Sequence, residues 1–184
     1  LSARFGVNAE RRTDGGFPVF ENNIAGKRVL LVADETTAQF LPRIEGIVKA
    51  NAAACASLVL PSPEPVADEE SVSLVAKNAQ GQDYLLAVGA GTINDLCKYA
   101  GFLTHTPSGV FATAPSMDGF TSGVTPLIEK GFKITRNAQT VSDILMDFDV
   151  LRAAPRIMIG PGVGAILAKY CCLTDWRISS LLTG

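Results

Sequence analysis

Short apolar runs alternate with helical patterns along the first two thirds of the chain, and this rhythm constrains the fold more than anything else in the sequence. Arg28–Ala33 (RVLLVA) is a continuous apolar stretch behind a Gly-Lys turn. Ala56–Leu60, Tyr84–Val88 (YLLAV) and Gly109–Thr113 (GVFAT) repeat the pattern. Runs of this length with little polar alternation suit strands buried on both faces. Between them, residues 35–50, 68–79 and 92–100 read as helices. In the first of these, Phe40, Leu41, Ile44, Ile47 and Val48 fall at near-helical spacing, and Pro42 lies in the first turn or kinks the helix. The proline-rich stretch 61–65 marks a turn. Strands and helices at this pitch predict βαβ units: an α/β fold, Rossmann-like, with a parallel sheet flanked by helices.

The rhythm changes after residue 118. Gly119, Ser122, Pro126, Gly131 and Asn137 punctuate short segments that read as loops or a hairpin, and Val141–Leu145 returns as a further strand. From Pro155 to Leu182 the pattern is helical, broken by the glycines of IGPGVGA. The expected organisation is therefore an α/β domain over 1–154 and the start of an all-helical domain over 155–184. That second unit ends abruptly at Gly184, so more chain is expected beyond it, and Leu1 in place of a start methionine points to trimming at the other end. An uncovered apolar helix predicts self-association into a homo-oligomer.

Composition narrows the function classes. Net charge is −2 with no clustering of Lys and Arg, which argues against nucleic acid. No uninterrupted apolar run reaches the roughly 18 residues of a membrane span, and the N-terminus lacks the apolar core of a signal peptide. The four cysteines, Cys55, Cys97, Cys171 and Cys172, show no metal-binding or disulfide spacing. They read as small buried hydrophobes in a reducing cytoplasm. A single histidine, His105, falls in a loop and reads as solvated.

The strongest chemical signal is Gly89-Ala90-Gly91-Thr92-Ile93-Asn94-Asp95, where a buried strand runs through Gly-x-Gly straight into a helix. Glycines permit the tight turn, and the free N–H groups and positive end of the helix favour a diphosphate. The third glycine of the dinucleotide fingerprint is missing. Thr92 and Asp95 also have the spacing of a capping box, which is compatible with either reading. A second cluster, Thr113-Ala-Pro-Ser116-Met-Asp118-Gly-Phe-Thr-Ser122, follows the fourth strand, where open α/β sheets place ligands. It reads either as a polar substrate loop or as a solvated turn. Asp34, closing the first strand, can accept from a ribose or cap the next helix.

Taken together and in this order, GAGTINDLCKY, TAPSMDGFTS and LAKY..LTDW resemble the sn-glycerol-1-phosphate dehydrogenases of the iron-containing alcohol dehydrogenase and dehydroquinate-synthase-like superfamily. The resemblance implies an NAD- or NADP-binding α/β domain, a helical domain, and reversible hydride transfer between dihydroxyacetone phosphate and sn-glycerol 1-phosphate. By the same resemblance Gly89 and Gly91 through Asp95 contact the cofactor diphosphate. Thr113, Ser116 and Ser122 hold the cofactor nearer its nicotinamide, Asp118 meets the substrate, and Asp34 reads the adenosine ribose.

One motif departs from the family. Its pattern after APRIMIGPGVG has an aspartate that ligates a catalytic zinc, and here that position is Ala165. The family's two histidine ligands have no counterpart in the chain, so zinc binding and full activity are not expected of it. Asp143, Asp147 and Asp149 are the nearest acidic substitutes and read as turn and cap residues. The alternatives are a non-catalytic dinucleotide-binding protein, or another superfamily chemistry of the dehydroquinate synthase or glycerol dehydrogenase kind.

Overall fold

A computed structural model describes residues 7–12, 16–61 and 64–183. Six strands form one parallel sheet in the order β1-β8-β5-β4-β2-β3. They are β1 (Asn8–Arg12), β2 (Arg28–Asp34), β3 (Ala54–Leu60), β4 (Tyr84–Gly89), β5 (Ser108–Ala112) and β8 (Asp143–Asp147). The central strands are buried along their whole length on both faces, which is why they read as continuous apolar runs rather than alternating ones.

Period-two alternation sorts their side chains into two cores. Leu30, Val32, Leu85 and Ala87 point to one face, under α3 (Glu69–Ala79) and α4 (Gly91–Thr104). Val29, Leu31, Ala33, Leu86 and Val88 point to the other, with Phe17, Phe20, Ile24, Leu41, Ile44 and Val48. The last six come from the segment around α1 (Pro18–Asn23) and from α2 (Leu41–Asn51). Pro42 sits in the first turn of α2, where its missing N–H has no intrahelical partner to lose. Asp68 caps α3 by accepting from Ser71 N at 2.9 Å.

The segment after residue 118 forms an antiparallel hairpin, β6 (Val124–Glu129) and β7 (Phe132–Asn137). Its turn places Lys130 and Gly131 at positive φ. The strand expected at Val141–Leu145 lies two residues further on, at β8. Two elements not anticipated in the sequence are β1 and α1, too short and polar to show periodicity. A third is α5 (Phe148–Ala153), which Asp147 caps by accepting from Asp149 N at 2.8 Å and Val150 N at 3.2 Å. The end of the 61–65 turn is only partly within the described residues, and the terminal Gly184 lies outside them.

The last helix, α6 (Arg156–Thr183), corrects two expectations. It runs unbroken through the IGPGVGA glycines and Pro161. It contains no buried residue, so Cys171 and Cys172 are exposed rather than packed in a core. It is also long and apolar enough to cross a membrane by length and composition. Such a composition equally serves a helix enclosed by protein.

Candidate functional site

The carboxyl ends of the parallel strands gather Asp34, the Gly89–Asp95 segment and Thr113 along one edge. From β2 the chain crosses to β3 on one side, and β4 returns on the other side of β2. The β2 and β4 ends therefore form the topological switch point, the crevice where ligands bind in open α/β sheets. Asp34 ends β2 and Gly89 ends β4, two strands paired side by side. Thr113, just past β5, donates its backbone N–H to Gly89 O at 3.1 Å and so fixes the second loop beside the first.

Close packing explains the glycines. A Cβ on Gly89 would stand 2.7 Å from Ile93 Cβ, inside any permitted contact. One on Gly91 would stand 3.2 Å from Met117 Sδ, which lies over the loop from the Thr113–Ser122 segment. Helix α4 starts at Gly91 with Ala90 as its N-cap and no side-chain cap bond. The Thr92–Asp95 capping box is thus not formed. Gly91 itself takes helical geometry, which starts the helix one residue early, and the Asp95 carboxylate is drawn to Lys98.

That second contact is a buried ion pair. Lys98 is fully buried and donates to Asp95 Oδ1 at 3.4 Å and to Val124 O at 2.8 Å, which ties α4 to the hairpin. Burial pushes the Asp95 carboxyl above its ordinary range, against the opposing pull of Lys98 and the Thr125 hydroxyl. Burial likewise lowers Lys98, against Asp95. Asn94, one residue before Asp95, is fully buried with neither amide atom hydrogen-bonded. Buried amides without partners are rare and costly.

Asp34 is engaged locally: its carboxylate accepts from Thr37 N at 2.6 Å while its own N–H donates to Thr37 Oγ1 at 3.0 Å. Ser122 Oγ accepts from Val124 N at 3.2 Å, and Ser116 is half-buried in the same loop. His105 is exposed at the α4 C-cap with φ 55°, the left-handed position that ends a helix.

Helix α6 is seated on the second loop. Gly162 packs directly on the carbonyl of Pro115, leaving no room for a side chain. Lys169, seven residues on and on the same face, is ion-paired with Asp118. Ala165 lies between them on this face and is half-buried. Asp118 holds the Lys169 ammonium above its ordinary range by hydrogen bond and charge. Sequence reasoning missed Met117, Lys98 and Lys169, since each acts through a contact between elements distant in the chain. Of the acidic substitutes, Asp147 is a cap that also pairs with Arg43, whereas Asp143 is buried at the start of β8. Among the described residues, no three His, Cys, Asp or Glu side chains are grouped to hold a metal ion.

Residues 11–155 match the iron-containing alcohol dehydrogenase family. The chain belongs to that family. Its relatives include a glycerol-1-phosphate dehydrogenase [NAD(P)+] of Bacillus subtilis, 40% identical over 69% of this chain and 33% of that protein. Another from Bacillus licheniformis is 34% identical over 91% of this chain and 43% of that protein. The chain thus spans less than half the length of these relatives. Among solved structures, a glycerol dehydrogenase from Schizosaccharomyces pombe superposes with TM-score 0.76 at 21% identity, over 90% of this chain and 42% of that one. An iron-containing alcohol dehydrogenase from Thermococcus thioreducens gives 0.70 at 17%, over 83% and 47%. At these identities the likeness is one of fold, and it places the parallel sheet and its flanking helices within the family's architecture.

Proposed function

We propose that this chain is the nucleotide-binding part of an NAD- or NADP-dependent dehydrogenase. Its substrate is a small phosphorylated one, with hydride passing between dihydroxyacetone phosphate and sn-glycerol 1-phosphate. Residues 1–154 form the nucleotide unit in this reading, and 155–184 open a helical one. The observation that carries it is the Gly89–Asp95 loop at the β2/β4 switch point, whose Gly89 is demanded by packing and whose Asn94 amide lacks a partner. The names of the glycerol-1-phosphate dehydrogenase relatives support the substrate class.

The residues fit a dinucleotide. The backbone N–H groups of Gly91–Ile93 open α4 toward a diphosphate, and Asp34 stands at the adjacent strand end for the ribose. Thr113, Ser116 and Ser122 line the neighbouring loop toward the nicotinamide. When bound, the nicotinamide supplies or accepts the hydride. Asp118, whose carboxylate oxygens accept hydrogen bonds, receives substrate hydroxyls and orients the carbon that exchanges the hydride. The Asp95 carboxylate faces Lys98, so its role in the loop is to hold α4 and the hairpin in place.

The described residues do not fit a zinc centre: Ala165 presents a methyl group on the face that meets Pro115 and Asp118, and no donor cluster surrounds it. No metal-dependent step follows from them. Calorimetric titration of NADH and NADPH, with and without zinc, tests the reading. Binding of either nucleotide irrespective of zinc is expected. Absence of both would reduce the Gly89–Asp95 segment to a helix start and overturn the proposal.

A further inference from the structure

Three ion pairs stand along the carboxyl edge, and they differ in what a ligand can reach. Lys98 is fully buried between Asp95 and the Val124 carbonyl, closed to any solute. Arg43 is bound to Asp147, whose side chain is 2% exposed and fixed further by the two N–H groups it caps. Lys169 and Asp118 are different, with side chains 54% and 30% exposed. An exposed pair of this kind contributes little stability, because solvent already satisfies both charges. Its partners are therefore easily exchanged.

The helix that carries Lys169 is nonetheless seated on the same loop. Gly162 is wedged on the Pro115 carbonyl, and Lys169 lies two turns further along the same face. The ammonium is thus delivered by α6 onto the loop that carries Thr113, Ser116 and Asp118, while its flexible stem leaves it free to turn. Resting on the nucleotide-dependent reading above, we infer that Lys169 is the residue that receives the substrate's phosphate, exchanging Asp118 for it on binding. A phosphate dianion competes well with a single exposed carboxylate for one ammonium. The exchange also frees Asp118 to accept from the substrate's hydroxyls. Without Lys169, the same phosphate would approach Asp118 as an unscreened like charge. Discrimination between phosphorylated and unphosphorylated polyols then falls to this one side chain.

The test titrates sn-glycerol 1-phosphate and, separately, glycerol into the nucleotide-saturated protein, for the native chain, Lys169→Gln and Lys169→Arg. Lys169→Gln should weaken glycerol 1-phosphate about ten- to a hundredfold, as expected for losing a charge-assisted hydrogen bond. Nucleotide affinity and the response to glycerol should stay unchanged, and Lys169→Arg should retain most of the phosphate affinity. Undiminished binding to Lys169→Gln overturns the inference. So does equal weakening of both polyols, or a native chain that takes up nucleotide but not glycerol 1-phosphate. If the native chain binds no nucleotide, the nucleotide reading itself fails. The same phosphate titration on the nucleotide-free variants then decides Lys169 separately, with equal or absent binding to native and Lys169→Gln counting against it.

Discussion

At the amino end of the sheet Asp143 is buried and surrounded by donors. It accepts from Tyr84 Oη at 2.6 Å, Ser142 Oγ at 2.9 Å, Asn23 Nδ2 at 2.8 Å and Asn8 Nδ2 at 3.2 Å. At the carboxyl end Asn94 is buried with no partner, Lys98 is matched to one carboxylate, and Asp118 and Lys169 are half-open. Both ends carry buried polar groups that are paired internally, but at the carboxyl end Asn94 is not. A closed network of this kind joins β1, β4, β8 and α1 and serves the fold. Polar groups left open at the switch point are available to a ligand. Polarity alone therefore does not single out a candidate site in this molecule; unmet hydrogen-bonding capacity does.

The comparison can be broken in several ways. Asp143→Ala should produce the largest effect, a loss of about 3 kcal/mol or more in unfolding free energy, because several buried donors lose their acceptor. Denaturant melts measure it, and nucleotide affinity of the folded fraction should stay as it was. A folded Asp143→Ala chain with impaired nucleotide binding would show that the two ends are not separate in function. Lys98→Met should be of similar size, about 3 kcal/mol, since it leaves Asp95 buried without its counter-charge. Adding Asp95→Asn to it should restore most of that loss, and a double variant as unstable as the single one would mean the pair is not what holds the hairpin.

Gly89→Ala should cost about 1–3 kcal/mol of stability by forcing Ile93 and the start of α4 away, and should weaken NADH binding at least about tenfold. Unchanged binding in that variant would remove the glycine loop from the site. Asn94→Leu should raise the stability of the ligand-free chain by about 1 kcal/mol, having removed a buried amide without partners, while lowering nucleotide affinity. A destabilised Asn94→Leu chain would indicate that the amide is paired in solution.

The smallest effect sharpens the contrast through pH. At the amino end the Arg28 guanidinium, and after it the Arg28 backbone N–H, hold the Asp83 carboxyl well below its ordinary value by hydrogen bonds. The stability it contributes is therefore present above the ordinary carboxylate range, about pH 4, and lost as pH falls through the depressed value. At the carboxyl end Asp95 is raised by burial, so its contribution has the opposite sign: full below the ordinary range, and lost as pH rises through the raised value. Melts of Arg28→Gln across this range should show a flatter acid limb than the native chain. An unchanged acid limb would take Asp83 out of the account.

Much of the fold was legible because buried parallel strands announce themselves: RVLLVA and YLLAV have no other reasonable home, and the Gly-x-Gly that follows the second must turn at once. The loop of Thr113–Ser122 could be placed at the ligand edge for the same reason, since β5 ends there. The short elements β1 and α1 could not be read, because five or six polar-rich residues carry no period. The capping box failed because Asp95 had a better partner in Lys98, three residues on along the same helix, a pair that the hairpin then buries. Cys171 and Cys172 were misplaced because an apolar helix pattern does not say what, if anything, lies against it.

The sequence by itself determined the layered α/β class, the position of the glycine loop and the identity of the polar loop beside it, since local apolar periodicity and backbone freedom are written residue by residue. Only the tertiary structure decided that Asp34, Gly89 and Thr113 share one edge, that Asn94 is left without a partner, and that Lys169 reaches Asp118 from a helix fifty residues away along the chain. Those are consequences of which surfaces meet, and contact between distant segments depends on packing the whole sheet, which no local pattern encodes.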